Sequence, residues 1–281
     1  MRIFVTGGTG FIGRHVVERL LEGDNEILLL TCEDKIEGVN SIEGDLSDIE
    51  SWKEKLENFK PEVCVHLAWE GIPDYGYEIS SKNLKYGLDL FSVLAEIGCS
   101  KIIGIGSCWE YENKNGELKE GDVINPSSPF NVAKNSLRLM GETLANEKNI
   151  QFIWTRLFYV YGPGQKEHSL IPHIINCIKN KEDPEIKTPN AKNDFVYVGD
   201  VADAIYSIVE NGESSIYNIG SGKSTSVKEI VEIVSKHYNF DVLLKDSESD
   251  VDFWADISKT KNELDWEPKT DILEGIKKFF I

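Results

Sequence analysis

Arginine is scarce in this chain and confined to positions 2, 14, 19, 138 and 156. Lysine and arginine together number 30 against 48 aspartates and glutamates, a formal net charge of −18. A surface so poor in cations repels phosphodiester backbones and anionic headgroups, so neither nucleic acid nor membrane is an expected partner. A phosphorylated small molecule would have to be held by backbone amides and a few placed cations. No apolar run approaches the length needed to cross a bilayer. The five cysteines (Cys32, Cys64, Cys99, Cys108, Cys177) are scattered and form no C-x-x-C pair. They read as reduced thiols of a cytoplasmic protein, with no zinc or other metal site suggested. The chain opens on a strand-like run, so no signal peptide is expected.

What is present begins at once. Ile3, Phe4 and Val5 form a short apolar run that is cut off by glycines, the pattern of a buried parallel strand. Gly7, Gly10 and Gly13 follow in the spacing G-x-x-G-x-x-G, and an amphipathic stretch runs from Phe11 to Leu21. Gly7 suits a tight strand-to-helix turn, Gly10 a close approach of backbone to a pyrophosphate, and Gly13 close packing of helix on strand. The helix N-terminus at Phe11 and Ile12 would face the negative charge. Strand, glycine turn and helix in this order predict a dinucleotide site.

Strand-like and helix-length segments then alternate. Strands are expected near Arg2–Thr6, Glu26–Thr31, Val63–Leu67, Lys101–Gly106 and Gln151–Leu157. Helices are expected near Phe11–Leu21, Asp48–Asn58, Tyr77–Ile97 and Phe130–Lys148. This alternation predicts an α/β fold: a Rossmann-type doubly wound parallel sheet with right-handed crossovers. After Gly164 the pattern loosens into helices near Leu170–Asn180, Val201–Glu210 and Val227–Tyr238 and a last one from Asp271, with strands near Phe195–Val198, Ser215–Ile219 and Val242–Lys245. The expected division is a dinucleotide-binding domain of residues 1–165 and 194–221, with 166–193 and 222–281 forming a smaller α/β substrate-binding lobe.

The end of the second strand bears on cofactor choice. A carboxylate there would grip the adenosine 2′-hydroxyl and repel a 2′-phosphate. Thr31 stands at that point, with Glu33 and Asp34 only later, and Arg14 could reach round from the first helix. NADP(H) is favoured on this ground; NAD(H) remains possible if Glu33 does the gripping.

Further motifs resemble the extended short-chain dehydrogenase/reductase superfamily of nucleotide-sugar epimerases, dehydratases and reductases. Gly44-Asp45-Leu46 resembles its G-D-L/I element, which implies that Asp45 bonds the adenine amino group, with Leu46 beside it. Val65-His66-Leu67-Ala68 resembles its V-x-H-L-A strand end, which implies Leu67 and Ala68 as cofactor contacts. Asn83 matches the family's helix asparagine. Gly106-Ser107-Cys108-Trp109-Glu110-Tyr111 resembles the stretch holding the family's catalytic serine or threonine, here Ser107. The 4,6-dehydratases carry Asp-Glu next, as acid and base; Cys108-Trp109 in their place disfavours dehydration.

The family's Y-x-x-x-K is matched by Phe130-Asn131-Val132-Ala133-Lys134. Lys134 lies one helical turn past position 130, on the same face. The resemblance implies that Lys134 holds the nicotinamide ribose and that position 130 carries the proton-shuttling phenol. Phenylalanine keeps the ring and lacks the ionisable oxygen. Either the proton is moved by another group (Ser107, Cys108 or a bound water), or there is no redox role, or Phe130 stands where a tyrosine has been substituted.

Downstream, Arg156 to Gln165 resembles R-x-x-N-x-Y-G-P-G, with Tyr159 in place of the substrate-touching asparagine. Leu170-Ile171-Pro172 resembles the start of a nucleotide-covering helix, after His168 and Ser169. Lys192-Asn193-Asp194 lacks the family arginine at 193, which leaves Lys192 as the candidate diphosphate cation. Asp200 is expected as a helix N-cap. Tyr217 to Gly222, Asp256 to Lys259 and Leu264 to Pro268 continue the match. The resemblance implies a nucleotide-diphosphate-sugar substrate touched by Ser107, Cys108, Trp109, Tyr159, Leu170 and Lys192. It also implies a homodimer through the two long helices Tyr77–Ile97 and Phe130–Lys148. The expected function is an NAD(P)H-dependent C4 reductase of a 4-keto-6-deoxyhexose nucleotide. A 4-epimerase with retained NAD+ and a catalytically silent nucleotide-binding homologue are the alternatives.

Overall fold

The computed structural model describes residues 1–32, 34–111, 115–245 and 247–280. Among them, seven strands form one parallel sheet: β1 (Arg2–Thr6), β2 (Glu26–Thr31), β3 (Asn40–Glu43), β4 (Val63–His66), β5 (Lys101–Ser107), β7 (Gln151–Leu157) and β11 (Ser215–Ile219). Their order is β11-β7-β5-β4-β1-β2-β3, so the chain reverses direction across the sheet between β1 and β4. Every pairing in this sheet is parallel.

Strand side chains alternate between faces, and each face is covered by helices. Ile3 and Val5 point into one cluster with Val16, Val17 and Leu20 of α1 (Phe11–Leu21). Val201, Ile205 and Ile208 of α6 (Val198–Asn211) close the same side. Phe4 points the other way, toward Leu56 of α2 (Lys53–Phe59), Leu90 and Phe91 of α3 (Tyr77–Glu96), and Leu137 of α4 (Pro129–Lys148). This two-sided burial is why the strands read as unbroken apolar runs. The Rossmann-type sheet is as the alternation predicts.

A second, four-stranded sheet orders β12 (Thr225–Ser226), β9 (Lys192–Asn193), β13 (Asp252–Ala255) and β6 (Asn115–Leu118). The remaining pair, β8 (Tyr159–Tyr161) and β10 (Phe195–Tyr197), runs parallel. Helices α5 (Leu170–Lys179), α7 (Val227–Tyr238), α8 (Ser258–Leu264) and α9 (Ile272–Lys277) complete the chain. An apolar cluster of Ile171, Ile174, Ile230, Val234 and Ile276 joins α5, α7 and α9.

Three local expectations are corrected. Val242–Lys245 pairs with no strand; Val242 and Leu244 lean on the α5–α7 cluster while Leu243 faces solvent at 85% exposure. The segment expected as one helix over Asp48–Asn58 is a 3₁₀ turn (Leu46–Ser51) followed by α2: Asp48 leaves helical geometry inside the turn, and Trp52, at φ −129°, separates it from α2. Asp200 is not an N-cap: α6 starts at Val198 on an extended Tyr197, and the buried Asp200 carboxylate instead accepts bonds from the amide and hydroxyl of Thr270 at 2.9 and 3.3 Å.

Candidate active site

The glycine turn after β1 is made of backbone in contact with backbone. Gly7 has a φ of +72°, and a Cβ there would lie 2.6 Å from the Ala68 nitrogen; one on Gly13 would lie 2.1 Å from the Gly7 oxygen. Both positions therefore exclude a side chain. Gly10 closes the turn by donating its N–H to the Gly7 oxygen at 3.1 Å and immediately precedes α1.

This turn borders a cleft of about 500 Å³ at the carboxyl ends of β1, β2 and β4. Gly7, Gly10, Thr31, Asp45, Leu46, Leu67 and Ala68 all line it, as does Asn83. Four other expected cofactor residues do not: Gly13 is packed under the turn, Phe11 and Ile12 are half-buried on α1, and Lys134 is buried on α4 against Trp69. A larger cavity of about 900 Å³ lies between α7 and residues 239–245 and contains none of the expected site residues.

Thr31 donates its hydroxyl to the Asp34 carbonyl at 2.5 Å, and Arg14 lies 3.7 Å from the Asp34 carboxylate. Glu33 lies outside the described residues. Asp45 caps the 3₁₀ turn by accepting from the Ser47 amide at 2.8 Å. Hydrogen bonding from Ser47 holds its carboxyl below the ordinary value.

The floor of the cleft is held from below. Thr6 and His66 share a hydrogen bond of 2.7 Å, and the Ala68 amide donates to the Thr6 hydroxyl at 3.4 Å. Burial, with the positive Lys134 nearby, pushes His66 down to about 3, so it is a neutral structural group. Asn83 clamps the segment that follows β4: its carbonyl accepts from the Glu70 amide at 2.7 Å, and its amide donates to the Glu70 and Ile79 oxygens at 3.0 and 2.8 Å. That clamp fixes Trp69 beside the cleft.

Trp69 links the cleft to the expected catalytic positions. The Lys134 ammonium sits 3.9 Å over its ring and donates to the Ile105 carbonyl at 2.7 Å. Burial pushes Lys134 down to about 7, partly opposed by Glu110. Phe130, one turn earlier, is 5% exposed, and Trp69 meets its ring edge-on with centroids 5.4 Å apart. Ser107, at the tip of β5, accepts from the Trp109 amide at 3.2 Å and keeps its proton to donate. The 3₁₀ turn Cys108–Glu110 is locked by Glu110, which accepts from the Ser107 amide at 2.9 Å, from Trp154, and from Arg156 at 2.9 Å in a fully buried ion pair.

The ring at 130 lies in a box of aromatics. Tyr75 and Trp109 also meet it edge-on, at 5.2 and 6.1 Å, and Tyr75 packs on Trp109 at 5.1 Å. The Trp109 indole donates to the Tyr159 hydroxyl at 3.1 Å. Burial raises both phenols above their ordinary values, Tyr159 to about 12. Cys108 is buried in a cluster with Tyr111, Phe158 and Phe253. Leu170 lies half-exposed at the start of α5, and Lys192 pairs with Asp252 at 3.1 Å on the small sheet; neither has a contact joining it to the box.

The family model described as "NAD dependent epimerase/dehydratase family" matches residues 3–220. The chain belongs to that family. Among its relatives, a Methanocaldococcus jannaschii protein named "Putative UDP-glucose 4-epimerase" is 31% identical, over 98% of this chain and 96% of its own. The dTDP-4-dehydro-6-deoxyglucose reductase of Escherichia coli is 25% identical, over 98% and 95%. The structure of UDP-glucose 4-epimerase with UDP-glucose from Thermotoga maritima superposes with a TM-score of 0.88 at 27% identity, covering 99% of this chain and 97% of the other.

Sequence reasoning passed over Trp69 and Tyr75. Their signal was an aromatic density unusual for a loop, with Trp69, Tyr75 and Tyr77 inside nine positions.

Proposed function

We propose that this protein is a nucleotide-sugar oxidoreductase that reduces C4 of a 4-keto-6-deoxyhexose nucleotide at the expense of NAD(P)H. The observation that carries the reading is the convergence of Ser107, Lys134 and the ring box on the glycine cleft through Trp69. The residues present suit a dinucleotide. Side-chain-free backbone lines the turn, and the Trp69 indole N–H is buried without a protein acceptor, a donor suited to a ligand oxygen. Bound there, a reduced nicotinamide would supply hydride to the carbonyl carbon.

This chain's own groups would do the rest. Gly7, Gly10 and the start of α1 would cradle the pyrophosphate, while Asp45 and Leu46 would bound the adenosine end. The Ser107 hydroxyl would polarise the sugar carbonyl, Lys134 would hold ribose oxygens, and Trp109 and Tyr159 would wall the sugar. Reduction is favoured because the phenols in the box are raised by burial and stay protonated near neutrality, as acids rather than bases. Cys108-Trp109 lacks the carboxylates that dehydration needs. Thr31, which brings no carboxylate to the strand end, and Arg14 favour NADP(H), against the nearby Asp34.

A 4-epimerase is the second reading, favoured by the relatives named for that activity. The test is to supply dTDP- and CDP-4-keto-6-deoxyglucose with NADPH or NADH and follow the nicotinamide absorbance. Stoichiometric oxidation with formation of a 4-hydroxy sugar is expected. Conversion of UDP-glucose to its C4 epimer without added cofactor would establish the epimerase instead. Neither activity, before or after Phe130→Tyr, would leave a silent nucleotide-binding protein.

A homodimer is part of the proposal. Val132, Leu139 and Met140 are exposed apolar side chains on α4, 46 to 55% exposed, and Tyr77 of α3 is solvent-exposed as well. Light scattering should give twice the chain mass. A cytoplasmic location fits five scattered cysteines with no C-x-x-C pair. Residues 166–193 and 222–281 would form the substrate lobe, although β6 joins the small sheet from inside residues 1–165.

A further inference from the structure

Position 130 offers a ring without an oxygen, yet a phenol stands against it from another element. We propose that Tyr75, carried by the loop between β4 and α3, is the catalytic acid that gives the sugar oxygen its proton. The inference rests on the function proposed above and deepens it.

Three observations support it. The Tyr75 ring is 5.2 Å from the Phe130 ring and 5.1 Å from Trp109, so its hydroxyl is borne on the same box that encloses position 130. Residues 70–74 and 76–78 around it are exposed, whereas Tyr75 is turned inward and half-buried. Within residues 70–78 Tyr75 is the one inward aromatic, and it belongs to none of the core clusters. The third observation is charge. Tyr75 is among the groups that raise the Tyr159 phenol, after burial, so the two phenols of the box act on each other.

The other groups facing the box are worse donors for a sugar oxygen. Tyr159 accepts the Trp109 indole proton and is the more deeply buried phenol. Cys108 packs among apolar side chains. Lys134 is turned into the Ile105 carbonyl.

The step balances simply. As hydride from NAD(P)H forms the new C4–H bond, the carbonyl π pair moves onto oxygen. The Tyr75 O–H bond breaks and its proton forms the new sugar O–H. The phenolate left behind takes a proton from water, which the exposed loop admits. Phe130 then serves as the wall against which the Tyr75 ring is set.

The test compares three full-length proteins: the parent, Tyr75→Phe, and the double variant Tyr75→Phe/Phe130→Tyr. Each is assayed in single turnover with dTDP- and CDP-4-keto-6-deoxyglucose and NADPH or NADH. Removing one oxygen from a loop residue should leave the melting temperature and the reduced-cofactor Kd unchanged. Tyr75→Phe should slow the chemical step at least about 100-fold, the size of a lost general acid. The double variant, with its phenol moved to position 130, should recover at least about tenfold of that loss. A Tyr75→Phe rate within threefold of the parent overturns the inference and leaves the proposed function standing. A parent that turns over none of these substrates overturns both.

Discussion

The glycine turn is built of close-packed backbone, whereas the space around Phe130 is walled by rings. In the first region Gly7 and Gly13 are fixed by contacts of 2.6 and 2.1 Å that no Cβ could occupy, and the residues that resemble the family keep their usual identities. In the second, Phe130 and Tyr159 depart from the family pattern and Cys108-Trp109 from that of its dehydratases, and the rings of Trp69, Tyr75 and Trp109 surround that of Phe130. Backbone packed this closely tolerates little change. Sugars differ, and the walls that read them can be rebuilt ring by ring while the scaffold beneath stays the same.

The comparison can be broken most severely from below the box. Glu110→Ala would leave Arg156 buried and uncompensated and would unlatch Ser107, so a loss of roughly 3–5 kcal/mol in chemical denaturation is expected. Glu110→Gln, which keeps the shape, should cost less; equal stability of all three proteins would show that the pair does not hold the box. Next in size is the turn. Gly13→Ala must displace the Gly7 carbonyl, and a shift of that kind should weaken dinucleotide binding by roughly 100-fold in calorimetry. Unchanged affinity would mean that the ligand does not lie on this turn.

A smaller effect concerns Lys134, which links the two regions. Its pKa falls from 10.5 unfolded to about 7 folded, so between these values the unfolded chain binds more protons and stability rises with pH. Between pH 7 and 8.5 the parent should gain about 1–2 kcal/mol over Lys134→Met, read by paired denaturant titrations. A constant difference across that range would contradict the buried ammonium. Smallest is Arg14→Ala at the exposed mouth. It should shift the NADPH-to-NADH affinity ratio toward NADH by about two- to fivefold, the scale of an exposed charge contact. A shift toward NADPH would reverse the proposed preference.

The large sheet was legible because its rules are local. β1, β2, β4, β5, β7 and β11 are buried on both faces and read as apolar runs, and α1, α3 and α4 match their predicted spans within a residue. The small sheet was not. β9 and β12 have two residues each, and β13 and β6 pair across more than a hundred residues, so no period builds up in any one segment. β3 was missed for a related reason, since Asn40–Glu43 holds one fully apolar residue, Ile42. Val242–Lys245 erred in the other direction, for alternation there serves packing on helices rather than pairing. In the site, Ser107 and Lys134 were recoverable from spacing to neighbouring motifs. Tyr75 and Trp69 were not, because their meaning comes from rings that meet only after folding.

One buried carboxylate between β9 and β10 has a mechanical consequence. Asp194 accepts from the amide and hydroxyl of Ser221 at 2.6 Å each, and from the amides of Gly222 and Ala255 at 3.0 Å. It thereby rivets the turn after β11 to β13, joining the end of the main sheet to the small one. A lobe fastened at that point has little freedom to swing open there. On the proposed function, a substrate reaching the ring box would then approach along the solvated stretch of residues 70–78 rather than through a hinge between the two sheets.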